Sequence, residues 1–136
     1  MVTITYEYTG QLGTKAKHGP SGTELNTDAP VDNAGRGLSF SPTDLLATSL
    51  ATCALTTMAI AAQKNGIAFE SGSGSVIKAM TAVAPRRVDV LTVTLRVPAA
   101  TAAADRERLE AAGRKCPVAL SLHPDVRVDM TFDWSA

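Results

Sequence analysis

The sequence predicts an α+β fold, with antiparallel sheets around one long buried central helix. Three observations carry this reading. Period-2 alternation opens and closes the chain, and a single uncharged helical run fills its middle. The order is strands, long helix, strands, two helices, strand, with no internal repeat and no regular βαβ alternation. At 136 residues the chain reads as one domain, residues 1–136, that needs no metal or disulfide staple.

Val2, Ile4, Tyr6 and Tyr8 alternate with Thr3, Thr5 and Glu7, which predicts a half-buried first strand. Gly10, Gly13 and the run Gly19-Pro20-Ser21-Gly22 then punctuate two short strands, near Leu12–His18 and Thr23–Asp28. Ala29–Phe40 is a loop by its Pro, Asn, Asp and Gly35-Arg36-Gly37 content, and it delivers Arg36 to the mouth of the central helix. That helix spans Ser41–Gly66. Ser41 caps it, Pro42 suits its first position, Asp44 lies at the positive end of the dipole, and Lys64-Asn65-Gly66 stops it. No charge falls between Asp44 and Lys64, and a helix apolar or small on every side is expected to be buried on every side.

Ser71–Gly74 reads as a flexible loop tip. Ser75–Ala82 and Val88–Val97 follow as strands. In the second, the apolar phase shifts between Val88/Val90 and Leu91/Val93/Leu95/Val97, so a bulge or burial on both faces is expected. Thr101–Arg114 is an amphipathic surface helix, with Gly113 weakening its end, and Cys116-Pro117 opens a short helix through Leu122. Val126, Val128, Met130, Phe132 and Trp134 mark a closing amphipathic strand.

Charge excludes several function classes. Lys plus Arg and Asp plus Glu number 13 each, so there is no electrostatic footprint for nucleic acid or an anionic membrane. The uncharged helical run is long enough to cross a bilayer, but its Ser, Thr and Gln content and soluble flanks favour a core helix. The opening residues lack a basic region followed by an apolar one, so the protein is expected to be cytoplasmic.

In that compartment two cysteines, Cys53 and Cys116, are the candidates for chemistry, and each is equally readable as a small buried hydrophobe. Cys116 stands before Pro117 at a helix start, where N–H dipoles favour a thiolate. Cys53, mid-helix, lacks that help and needs a cation beside it. A guanidinium at ~4 Å is worth ~4 kcal/mol at an effective dielectric of ~20. Arg36 is the best-placed donor by sequence, with Arg86, Arg87 and Arg114 ranked lower. His18 and His123 do not combine with the cysteines in any close ligand spacing, so no metal or other cofactor is expected.

The segments SPTDLLATSLATC and AGRKCPVALSLHPDV resemble the OsmC/Ohr family, most nearly its YhfA-like branch, and the resemblance covers nearly the whole chain. It implies an intertwined homodimer with active sites at the subunit interface, and thiol-dependent reduction of organic hydroperoxides or hydrogen peroxide by an external thiol or dithiol. By position it assigns Cys53 as peroxidatic cysteine, Cys116 as the resolving partner in a disulfide, and Arg36 as activating arginine. The family carries a Glu after the helix-opening Pro to hold the arginine. Here that position is Thr43 and the acid is Asp44, so Asp44, with Thr43, is the candidate arginine-positioning site. The alternative expectation is a binding module or redox sensor on the same fold, for a small apolar or thiol ligand.

Overall fold

In the computed structural model, which describes residues 1–135, the chain forms two compact units, Met1–Leu46 and Ala47–Ala136. The first holds a three-stranded antiparallel sheet, β1 (Ile4–Gly10), β2 (Gly13–His18) and β3 (Glu24–Asp28), in that spatial order. Tyr6 lies opposite Ala16, and Ala16 opposite Leu25, so alternation gathers the apolar side chains on one face. The other face carries charge, with Lys15 bridging to Glu24 at 2.9 Å. One expectation is corrected here: β1 is not half-buried but exposed from Ile4 through Thr9. Alternation identifies an apolar face without saying what covers it.

The loop after β3 contains a short 3-10 turn, Val31–Asn33, and leads to α1 (Pro42–Lys64). Its start is a reciprocal cap. The Asp44 N–H donates to Ser41 Oγ at 3.1 Å, and the Ser41 N–H donates to Asp44 Oδ2 at 2.8 Å. At the other end Gly66 takes the left-handed conformation and the Ile67 N–H closes on the Ala62 carbonyl at 3.0 Å. Burial differs from the expectation. Ala47, Leu50, Ala54, Met58 and Ala62 form one buried stripe at helical spacing, whereas Thr52, Thr56 and Ile60 are exposed. The chain's own elements cover one side of α1 and leave the other uncharged and open.

In the second unit β4 (Ser73–Met80), β5 (Val88–Arg96) and β6 (Arg127–Asp133) form a sheet in that order, with α2 (Ala103–Arg114) and α3 (Pro117–Ser121) between β5 and β6. β4 and β5 are antiparallel. β5 and β6 are parallel, so this sheet is mixed: a connection carrying two helices brings the chain back in the same direction. The bulge is present. Ala79 pairs with Val90 and Met80 with Val88, leaving Asp89 extra, and this resets the phase so that Val88, Leu91, Val93 and Leu95 are all buried.

Ser73 and Gly74, expected in a loop tip, instead pair with Arg96 and Leu95. A Cβ on Gly74 would lie 2.1 Å from the Thr94 carbonyl oxygen, so this glycine serves close strand approach. Gly113 has a similar role on α2. A Cβ there would meet Met58 at 3.1 Å and Phe132 at 3.3 Å, which makes it a contact point between α2, α1 and β6. Leu50, Met58, Leu91, Val93, Val97 and Leu109 are fully buried and form the centre of this core. Arg106 stacks on Trp134 at 5.3 Å, and the Trp134 indole N–H donates to Glu110 at 2.8 Å, tying α2 to the end of β6.

Candidate functional site

Cys53 lies on α1 at the margin of the buried stripe, half-buried, with its carbonyl accepting the Thr57 hydroxyl at 2.7 Å. Cys116 is fully buried in the corner between α2 and α3. Its extended backbone, φ −62 and ψ 154, makes it the N-cap of α3, and Pro117 occupies the first helical position as the sequence predicts. The Cys116 N–H closes on the Gly113 carbonyl at 3.3 Å, and its Sγ accepts the Ala119 N–H at 3.5 Å. The sulfur is thus oriented by the helix it caps.

Both cysteines are free thiols, and Cys53 lies close enough to Cys116 to act on it through a side-chain hydrogen bond. Burial pushes the Cys116 thiol above its usual range, and the Cys53 thiol beside it pushes in the same direction. The Ala119 and Val118 N–H groups pull the other way without prevailing. This corrects the expectation that the helix start would favour a Cys116 thiolate. A cap donates a partial charge, but full desolvation of the sulfur costs more. Two adjacent thiols of unequal exposure, one reachable from outside and one held as the neutral form inside, are able to take up a two-electron oxidation.

Arg36 belongs to the first unit. Its Nε stands 3.4 Å from Asp28 Oδ2, and Nη1 donates to Gln11 Oε1. The carboxylate set against Arg36 is therefore that of Asp28, at the end of β3, while Asp44 closes the α1 cap and Thr43 shares a 3.1 Å hydrogen bond with Ser41 Oγ. Neither Asp28 nor Gln11 is apparent as a site residue in the sequence. Asp28 ends β3 and Gln11 lies in the turn between β1 and β2, places where an acid or an amide has many ordinary uses, and only the fold returns the 29–40 loop onto them. Of the lower-ranked arginines, Arg87 donates to the Asp125 carbonyl at 3.3 Å and Arg114 lies over Phe132 at 4.9 Å. Among the described residues no three His, Cys, Asp or Glu side chains gather as metal ligands.

A mainly apolar cavity of about 220 Å³ opens in the second unit between α1 and the β4–β5 pair, lined by Thr48, Thr52, Leu55, Val76 and Leu95 among others.

The OsmC-like protein family matches residues 35–131, which include both cysteines and Arg36. The chain belongs to the OsmC/Ohr family. Among solved structures, a Psychrobacter arcticus 273-4 protein whose name refers to osmotic stress and a detoxification response is 40% identical, with a TM-score of 0.90 over 97% of this chain and 96% of that one. An organic hydroperoxide resistance protein OsmC of Legionella pneumophila is 16% identical, with a TM-score of 0.79 over 98% and 96% of the two chains. A Vibrio cholerae O1 biovar eltor protein named for organic hydroperoxide resistance, with captopril bound in one of its active sites, is 15% identical, with a TM-score of 0.78 over 98% and 91%. The latter two share the OsmC fold with this chain. Among curated proteins there is no match.

Proposed function

We propose that this OsmC/Ohr-family protein is a thiol-dependent peroxidase that reduces organic hydroperoxides or hydrogen peroxide. The observation that carries the reading is the juxtaposition of a half-exposed Cys53 with a fully buried Cys116 whose pKa is raised. The Cys53 thiolate attacks one peroxide oxygen, forming an S–O bond as the O–O bond breaks. The other oxygen leaves, takes a proton and departs as alcohol or water. The Cys116 sulfur then attacks the Cys53 sulfenic acid, an S–S bond forms, and hydroxide leaves with the Cys116 proton as water. Two external thiol groups, or one dithiol, reduce the bridge. A raised pKa suits the resolving role, because Cys116 stays protonated until the sulfenic acid forms and then supplies the proton for water.

In this reading the Arg36 guanidinium stabilises the Cys53 thiolate and the charge on the departing oxygen. The working protein is a homodimer. Supporting that are the exposed Ile4, Tyr6 and Tyr8 on β1 and the uncharged open side of α1 bearing Ile60, apolar surface that a second copy would cover. The test is peptide mass spectrometry without reductant after one equivalent of an organic hydroperoxide. The expected product is one Cys53–Cys116 bridge per chain. Recovery of both thiols unmodified, or of unlinked oxidation on each, would sink the two-cysteine reaction.

A second reading, a binding module or redox sensor for a small apolar or thiol ligand, draws on the apolar cavity beside α1. Saturable binding of such a ligand, with turnover no faster than that of a free thiol, would favour it.

A further inference from the structure

Within the first unit, Arg36 is held on two sides, and backbone strain is concentrated where it is held. Asp28 is 2% exposed. Its Oδ2 faces Arg36 Nε at 3.4 Å and accepts the Leu38 N–H at 3.1 Å, while its own N–H donates to the Phe40 carbonyl at 3.1 Å. Its Oδ1 is buried with no hydrogen-bond partner, so the charge of this carboxylate is answered by Arg36. On the other side, Gln11 Oε1 accepts from Arg36 Nη1.

Among the described residues three non-glycines have left-handed backbone: Gln11 at φ 52, Leu12 at φ 61 and Ala34 at φ 64. All three lie in the two loops that meet at Arg36. Gln11 and Leu12 are the two-residue tip of the β1–β2 hairpin, a turn that Asn-Gly makes with far less strain. The Ala29 N–H bonds to the Leu12 carbonyl at 3.0 Å, which ties that tip to the start of the arginine loop. Beside Ala34, Gly35 has no room for a side chain, since a Cβ there would fall 1.7 Å from the Ala29 carbonyl oxygen. A hairpin tip has no need of a glutamine at a strained φ. Here the strained residue presents an amide oxygen to Arg36, and strain of this kind is found where position matters.

We infer that Gln11 and Asp28 are positioning residues that clamp Arg36 by Nε and Nη1. The inference rests on the reading that Arg36 serves the Cys53 thiolate, and it replaces Asp44 with a two-sided clamp on the arginine. Fixing the guanidinium in advance removes the loss of rotamer freedom that an untethered arginine would suffer on meeting the thiolate.

The experiment compares the pH midpoint of Cys53 alkylation, Cys116 being replaced by Ser throughout, in otherwise wild-type protein, Arg36→Ala, Gln11→Gly, Gln11→Glu, Asp28→Asn and the double change Arg36→Ala with Gln11→Gly. Removing Arg36 is expected to raise the midpoint by about one unit or more, as loss of a close opposite charge does. Gln11→Gly is expected to raise it by roughly half a unit although glycine relieves the turn, and Gln11→Glu, which still accepts from Arg36 but adds a second negative charge beside it, to raise it as well. In the Arg36→Ala background Gln11→Gly has no further effect. Urea unfolding of Gln11→Gly reports whether the turn itself is intact. If Arg36→Ala shifts the midpoint while Gln11→Gly and Asp28→Asn do not, the clamp is overturned and the peroxidase reading stands. If Arg36→Ala leaves the midpoint unchanged, the role of Arg36 and its clamp fall together.

Discussion

Cys116→Ala tests the resolving position through stability as well as chemistry. The thiol is 0% exposed and its sulfur accepts the Ala119 N–H at 3.5 Å, so the change removes one buried heavy atom and one helix cap. Deleting a buried atom of methylene size costs about 1 kcal/mol, and a cap is worth about 1 kcal/mol. A long sulfur contact falls at the low end, so the expected loss at pH 7 is about 1–2 kcal/mol. This loss depends on pH with a defined sign. The folded thiol titrates above its ordinary value of 9.0 because burial disfavours the anion. The unfolded chain therefore releases the Cys116 proton first as pH rises, and this contribution to stability is whole below about 8.5–9 and lost above it. Urea unfolding under reducing conditions at pH 7 and pH 10 is the assay. The wild type should exceed Cys116→Ala at pH 7, and the gap should narrow at pH 10. A gap that is absent at pH 7, or that widens in alkali, would refute the buried, neutral-thiol account of Cys116.

Met58→Ala should cost about 2–5 kcal/mol in urea unfolding, because Met58 is fully buried and is the side chain that Gly113 of α2 approaches. Ser41→Ala should cost about 1 kcal/mol by breaking the reciprocal cap with Asp44, and circular dichroism should show earlier loss of helix on heating. Gly35→Ala should disorganise the arginine loop, since its Cβ would collide with the Ala29 carbonyl. Loss of the bonds from Gly35 to Pro30 and from Gly37 to Ala29 implies about 1–3 kcal/mol, read as lost amide-exchange protection in residues 29–38. Sedimentation equilibrium at micromolar concentration should give a dimer, and a folded, stable monomer would remove that part of the proposal.

The strands, the central helix and its two ends were legible from the sequence because each is decided locally. Alternation marked β1 and β6, Ser41-Pro42 and Asp44 marked the start of α1, and the phase shift between Val88/Val90 and Leu91 pointed to a bulge or to burial on both faces, of which the structure has the bulge, at Asp89. The candidate site was legible in part. Cys53 and Cys116 stood out by scarcity and by the Cys-Pro helix start, and Arg36 by its flanking glycines. Its clamp was not legible, because Asp28 and Gln11 meet Arg36 only after the hairpin tip and the 29–40 loop fold onto the end of β3.

By itself, then, the sequence determined where helices and strands form, their apolar faces, and which few residues have reactive side chains. These follow from periodicity, capping and turn chemistry acting over a few neighbouring residues. Only the tertiary structure decided that β6 runs parallel to β5, that one side of α1 and the apolar face of β1 stay uncovered within the chain, and that Cys116 titrates high. Each depends on desolvation and packing by residues distant in sequence, and no local pattern encodes the distance between them.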